Sequence, residues 1–369
     1  MKDRVHFSGL NGLRAIAALA VVFSHTTAGL NEFGLNRFIF GKYADGNPKA
    51  TLLAGFGVSI FFALSGFLIT YLLLKEKESG GINIKNFYIR RILRIWPLYY
   101  LYFGLTLITT YIFDIPYDKT YIFYYIFLLA NIPFIFGGML PFLGHYWSLG
   151  VEEQFYSFWP WVVKKSKSIL KITTIICIGL IALKTIVRVI EIKTLNGEST
   201  LFYKIIHVTR FHCMLIGAIG AILYYEKNTL FLKLTNNLFT QFISWIIILL
   251  VTINKFHLVS FLDNEIISVI TVFLIIGQIE KSNRIVNLNI SFFDFIGKIS
   301  YGIYVIHPLI IFFLSKIIVI SYKSVALNYI LVYFSVFATT IILSYISYHY
   351  FEKRFLDMKD KYSTIKSSG

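Results

Sequence analysis

Apolar residues run along this chain in long blocks separated by short polar connections. The blocks fall near residues 11–29, 52–74, 95–113, 120–137, 146–163, 169–190, 205–225, 238–253, 266–280, 297–316 and 327–350. An α-helix needs roughly 20 apolar residues to cross the hydrocarbon core of a bilayer, and most of the blocks are about that long. The pattern predicts an all-α fold, a polytopic transmembrane bundle of about ten spans. No internal repeat or low-complexity linker divides it. Residues 1–355 are therefore expected to form one membrane-embedded domain, with 356–369 a short cytoplasmic tail.

Basic residues orient the bundle. The connection at 75–94 carries Lys75, Lys77, Lys85, Arg90, Arg91 and Arg94 against Glu76 and Glu78, which marks it as cytoplasmic. "KKSKSILK" at 164–171 is cytoplasmic by the same rule, as is the C-terminal end with Lys353, Arg354, Lys359, Lys361 and Lys366. An even number of crossings must separate the first two of these connections, yet three blocks lie between them. One block cannot cross. The expected exception is 120–137, read as a re-entrant or interfacial segment broken by Pro133 and by Gly137 and Gly138. Both termini then lie in the cytoplasm.

Composition agrees with that picture. The chain is 57% hydrophobic and 18% aromatic with a mean hydropathy of +0.69, well above the apolar share of soluble domains. Its formal net charge of +16 is dispersed among apolar spans, a pattern that suits orientation and anionic headgroups or a phosphorylated ligand and gives no reason to expect nucleic acid. Cys177 and Cys213 lie apart in predicted spans and offer neither a disulfide framework nor metal-ligand spacing. The basic N-terminus resembles a signal peptide, but Arg14 precedes the apolar run and no small-residue cleavage site follows. It reads as an uncleaved first span.

Chemistry must then come from ionisable residues inside the bundle, where each costs several kcal/mol unless paired or hydrated. "HYWSLGVEEQFYSFWP" at 145–160 places Glu152 and Glu153 inside an apolar block. Adjacent helical residues point about 100° apart, so the two carboxylates are expected to do different jobs. Arg14 and His25 lie about three turns apart on one face of the first span. Histidine can take and return a proton near neutral pH. In "NFYIRRILRIWPLYY", Arg91 and Arg94 share a helical face just ahead of a span that Trp96 and Pro97 introduce, and arginine forks suit phosphate oxygens. Ser300, Tyr304 and His307 in "GKISYGIYVIHPLII" line another face, with Pro308 placed to kink that helix. Ser65 stands beside Gly66 with no base evident, which reads as a close-packing device. Arg188, Arg210 and His212 are expected near outer span ends, with Lys184 deeper. The eight histidines are scattered, so no metal is expected.

Five segments in this order, "LNGLRAIAALAVVFSH", "GVSIFFALSGFLIT", "RRILRIWPLYY", "HYWSLGVEEQFYSFWP" and "ISYGIYVIHP", resemble the acyltransferase family 3 membrane enzymes. That family includes bacterial O-acetyltransferases of O-antigen and other surface polysaccharides. The resemblance runs from Leu10 to about Phe355. It implies a ten-span bundle in the bacterial cytoplasmic membrane that takes an acyl group, usually acetyl, from cytoplasmic acyl-CoA to a hydroxyl of a surface or lipid-linked glycan. The family's required Arg and His of the first span match Arg14 and His25, its Arg-x-x-Arg motif matches Arg91 and Arg94, and its Trp-Ser-Leu-x-Val-Glu-Glu motif matches Trp147 onward. Some relatives append an SGNH hydrolase-like domain. This chain ends at residue 369 without one, so acceptor choice is expected in the membrane domain or in a separate extracytoplasmic partner.

The expected mechanism places the acyl-CoA phosphates at Arg91 and Arg94 and its pantetheine arm along Arg14. The thioester reaches His25, the general base or an acyl-carrying nucleophile. Glu152 or Glu153 orients the imidazole. Trp147, Ser148, Tyr156, Tyr304 and His307 are the candidate acceptor contacts, with Trp147, Tyr156 and Trp159 as sugar-stacking faces. The alternative from another class is a secondary transporter or flippase using Arg14, His25, Glu152 and Glu153 as a proton or substrate path. The inverted repeats common in such proteins are not seen here.

Overall fold

The computed structural model describes residues 4–43, 46–318, 324–363 and 365–368. Its helices are α1 (Leu10–Ala28), α2 (Leu52–Glu78), α3 (Ile84–Ile112), α4 (Tyr121–Ile126), α5 (Asn131–Ile135), α6 (Trp147–Lys165), α7 (Ile169–Thr194) and α8 (Leu201–Thr209). The second half contributes α9 (Phe211–Tyr225), α10 (Thr229–Thr235), α11 (Leu238–Thr252), α12 (Asp263–Glu280), α13 (Ser291–Lys298), α14 (Ser300–Ile317), α15 (Val325–Ser347) and α16 (Lys353–Lys359). A two-stranded parallel ribbon, β1 (Arg4–His6) with β2 (Lys366–Ser368), ties the two ends of the chain together.

By length and composition, five of these helical stretches can cross a membrane: 49–78, 84–112, 201–225, 300–317 and 325–362. A sixth forms if α10 and α11, bent by 53° at their junction, count as one broken span. The remaining predicted blocks also fold as helices. However, α1 carries Asn11, Arg14, Ser24 and His25 inside its 19 residues, which is why its apolar signal is diluted.

Segment 120–137 forms no helix long enough to span a bilayer: α4 has six residues and α5 five, and Leu128 between them adopts φ 59°. This segment docks on α6 instead, where the Asn131 and Gln154 amides exchange hydrogen bonds of 3.2 and 2.8 Å. The start of α3 corrects the sequence reading. Asn83 caps it, its Oδ1 accepting from the Asn86 amide at 3.0 Å, so the helix begins well before the apolar run at 95. Arg91, Arg94 and Pro97 therefore sit inside a helix of 29 residues rather than ahead of a span.

Helices α2 and α9 approach most closely at glycines. A methyl added to Gly66 would collide with the Met214 carbonyl, and one added to Gly217 with the Ala63 carbonyl. The small-residue reading of Gly66 is met by this contact. Around that seam the large aromatics fill the bundle: Trp159, Tyr99, Tyr102, Tyr125, Phe62 and Phe155 are almost wholly buried. Trp159 donates its indole N–H to Thr70 Oγ1 at 2.8 Å, so it is a core residue and not a sugar-stacking face.

Candidate active site

Helices α1, α2, α3, α6 and α14 enclose a cavity of about 1230 Å³, open space at its mouth included. Arg14, Arg91 and Arg94 line it together with Ser65, Ser148, Glu152, Tyr156 and Tyr304. Arg14 is held in place by Asn11, whose Oδ1 accepts from Nη1 at 2.6 Å and whose amide donates to Asp294 at 2.8 Å. The Arg91 guanidinium lies 5.8 Å from the Tyr156 ring centre, and its Nε is buried without a hydrogen-bond partner. The three guanidiniums share the wall of this one cavity. Among the described residues none of them has a carboxylate within 4.0 Å. Neighbouring Arg90 differs. It pairs with Glu76 at 2.5 Å and donates to the Tyr362 carbonyl at 2.9 Å, which ties the C-terminal segment to α3.

The two glutamates separate as their angular spacing predicts. Glu152 faces the cavity, where its Oε1 accepts from Ser65 Oγ at 2.9 Å. Ser65 in turn accepts from the Tyr156 hydroxyl at 3.1 Å. Ser65 thus has a carboxylate beside it, which corrects its reading as packing alone. Glu153 turns toward α3 and accepts from the Trp96 indole at 3.2 Å, while its other oxygen is buried without a partner.

The far end of the cavity is closed by Ser148 and Tyr304, whose hydroxyls are 2.5 Å apart. Tyr304 donates onward to the His145 carbonyl at 2.8 Å. Behind them three imidazoles gather. His25 Nδ1 and His307 Nε2 are 2.7 Å apart, and the His145 ring centre is 5.2 Å from His307 and 6.5 Å from His25. The partner of His25 is therefore His307 and neither glutamate. Glu152 belongs to the arginine cavity, on the other side of Ser148 and Tyr304, and Glu153 faces Trp96. Among the described residues no group of three or more His, Cys, Asp or Glu is arranged to hold a metal ion.

Pro308 builds this end of the site. It lacks an amide hydrogen, so the Tyr304 carbonyl one turn earlier has no helical donor, and side chains pack against this turn of α14. The Val305 carbonyl accepts from His145 Nε2 at 3.1 Å, and the Leu309 amide donates to the Tyr102 hydroxyl at 3.2 Å. His145 opens the motif that carries Glu152 and Glu153, but nothing in its neighbourhood along the chain points to two histidines more than a hundred residues away.

Trp147 is half-buried, stacked on Phe134 at 5.4 Å with the Arg210 guanidinium 5.2 Å from its ring centre. Arg210 is tied into the bundle. It donates to the Gly55 carbonyl and to Asn264, each at 3.1 Å. Arg188 is bound to Glu191 at 3.1 Å and to the Gly197 carbonyl at 2.9 Å. Lys184 forms a buried ion pair of 2.5 Å with Glu265, and His212 Nε2 lies 2.9 Å from the same carboxylate oxygen. These residues lock α7, α9 and α12 together away from the cavity.

Fold and site define a polytopic helical membrane protein with a largely apolar cavity inside its bundle into which three arginines project. The chain belongs to acyltransferase family 3, whose profile, described as an acyltransferase domain, matches residues 7–349. "Putative O-acetyltransferase SACOL0978" of Staphylococcus aureus is 29% identical over 386 residues, covering 96% of this chain and 58% of the relative. The "Peptidoglycan O-acetyltransferase OatA" of Listeria monocytogenes is 34% identical over 202 residues, covering 49% of this chain and 28% of the relative. "Putative peptidoglycan O-acetyltransferase YrhL" of Bacillus subtilis is 30% identical, covering 94% of this chain and 54% of the relative. The chain thus spans little more than half the length of the curated relatives it matches. No solved structure matches it.

Proposed function

We propose that this protein is a multi-pass O-acyltransferase of the bacterial cytoplasmic membrane, moving an acetyl group from cytoplasmic acetyl-CoA to a hydroxyl of a cell-surface or lipid-linked glycan. One observation carries the reading: three guanidiniums without carboxylate partners line one cavity, and its opposite end abuts a histidine cluster. Three half-buried guanidiniums crowded into one cavity with no carboxylate in direct contact are costly, and a polyphosphate ligand is the chemistry that best offsets them. Family membership and the names of the relatives support acyl transfer, and the peptidoglycan relatives support a glycan acceptor.

In this scheme Arg91 and Arg94 hold the donor phosphates. Arg14 lies further along the pantetheine path and the thioester reaches toward His25. His25 takes the proton of the acceptor hydroxyl as its oxygen attacks the thioester carbonyl. The carbon–oxygen bond forms, the carbon–sulfur bond breaks, and the thiolate recovers that proton from His25. Glu152 balances the arginines and fixes Ser65 and Tyr156. Trp147, Ser148, Tyr304 and, behind them, His307 bound the acceptor end. A separate extracytoplasmic partner fits acceptor delivery. The helices α1, α6, α7 and α12, added to the six candidate spans, give a ten-span domain over 1–355 with both termini cytoplasmic.

The test uses purified protein in nanodiscs with radiolabelled acetyl-CoA and soluble glycan fragments, following thiol release and ester formation. Acetyl-ester formation that disappears in His25→Ala supports the reading. Well-folded protein that neither binds nor consumes acetyl-CoA or longer acyl-CoAs overturns it.

A further inference from the structure

The hydrogen-bond chain through His307 dictates which nitrogen of His25 carries a hydrogen. His307 Nδ1 lies 3.1 Å from the Ile303 carbonyl, with the Tyr304 carbonyl also in reach. Proline at 308 cannot pair the Tyr304 carbonyl, so this turn of α14 holds an acceptor in surplus. A carbonyl oxygen only accepts, so Nδ1 of His307 must be the protonated nitrogen. Neutral His307 therefore presents a lone pair at Nε2. That lone pair faces His25 Nδ1 at 2.7 Å, so His25 must donate from Nδ1 and keep its own lone pair at Nε2.

We infer that His307 is a positioning residue, fixing His25 as the Nδ1–H tautomer so that Nε2 is the base. It takes the place a carboxylate holds in other base-orienting pairs. The inference rests on the proposed acyl transfer and assigns His307 a role other than touching the acceptor. His307 is wholly buried, whereas His25 is only partly so, as befits an orienting group behind a reacting one. The rings are nearly parallel, 27° apart with centres 5.0 Å distant, and α1 and α14 pack against each other along this contact. Nothing else holds the His25 ring by a hydrogen bond among the described residues. When Nε2 takes the acceptor proton, the imidazolium charge is shared through Nδ1–H with the His307 lone pair. When the departing thiolate recovers the proton, the original tautomer returns.

The first measurement needs no variant. ¹⁵N-histidine-labelled wild-type protein in nanodiscs is observed by solid-state NMR, with the His25 signals identified by their loss in His25→Asn. Inference and structure require a pyrrole-type Nδ1 and a pyridine-type Nε2 on His25. The opposite tautomer overturns the proposal even if the enzyme is active. The second measurement is kinetic. His307→Phe, with no acceptor, should lower kcat about 100-fold, in line with the loss of an oriented base, with KM for acetyl-CoA unchanged. His307→Gln, whose side-chain carbonyl can accept from Nδ1–H, should recover at least tenfold of that loss. Equal activity in wild type and His307→Phe sinks the inference while leaving acyl transfer intact. A wild type inactive under every donor condition instead removes the reading beneath it.

Discussion

Ser65 Oγ donates to Glu152 Oε1 at 2.9 Å, joining α2 to α6 at the wall of the arginine cavity. Glu152 is the carboxylate that faces Arg91 and Arg94, and Ser65 and Tyr156 hold it there. Glu152→Gln keeps the shape and removes the charge. Hydrogen bonds to charged groups contribute about 1.5–3 kcal/mol, so acetyl transfer should fall about 10- to 100-fold. Ser65→Ala removes one contact and should cost about tenfold. Initial rates of thiol release at saturating donor are the readout. Unchanged rates in both variants would dismiss a role for this contact.

Arg91 and Arg94 are expected to act on donor affinity. Replacing either by alanine should raise KM for acetyl-CoA at least tenfold, with a smaller effect on KM for the acceptor. Arg91→Lys keeps charge but not the fork, so its KM should fall between wild type and Arg91→Ala. Donor titrations under fixed acceptor decide the matter, and an effect confined to the acceptor would reassign both arginines.

The pair Lys184–Glu265 predicts a stability effect separable from catalysis. Lys184→Met leaves the buried Glu265 with only His212, and breaking such a pair costs about 3–5 kcal/mol. Lys184→Met with Glu265→Leu removes both charges and should be less destabilised than the single change. Thermal unfolding in nanodiscs reads the difference. A double variant that unfolds earlier than the single one contradicts it.

At the α2–α9 seam, Gly66→Val and Gly217→Val force side-chain atoms into facing backbone carbonyls. Backbone cannot yield as a flexible side chain can, so each change should cost at least about 1–3 kcal/mol and lower the yield of folded protein. Gly104, whose added methyl meets nothing, is the matched control, and Gly104→Ala should fold normally. Fluorescence-detected size exclusion compares the three.

Much of this protein is legible in the order of its residues. Long apolar blocks and the placement of lysine and arginine determined an all-helical membrane chain. Pro133 and the Gly137–Gly138 pair marked 120–137 as a broken segment, and it folds as two short helices. The 100° offset between adjacent helical residues separated Glu152 from Glu153 before any contact was known. The five motifs named the family.

Only the tertiary structure decided which polar residues meet. Hydropathy marks where apolar surface is buried but not where a polar cap starts a helix, so the helix that Asn83 caps takes Arg91 and Arg94 from just ahead of a span into its interior and onto a cavity wall. Ser65 and Glu152 are 87 residues apart, and His25 and His307 are 282 apart. No periodicity spans such distances. Helix packing brings these groups together, and Pro308 leaves the Tyr304 carbonyl without its helical donor beside His307. The chain's own order specifies helices and the cost of each buried charge. Which neighbour offsets that cost is a property of the packed bundle alone.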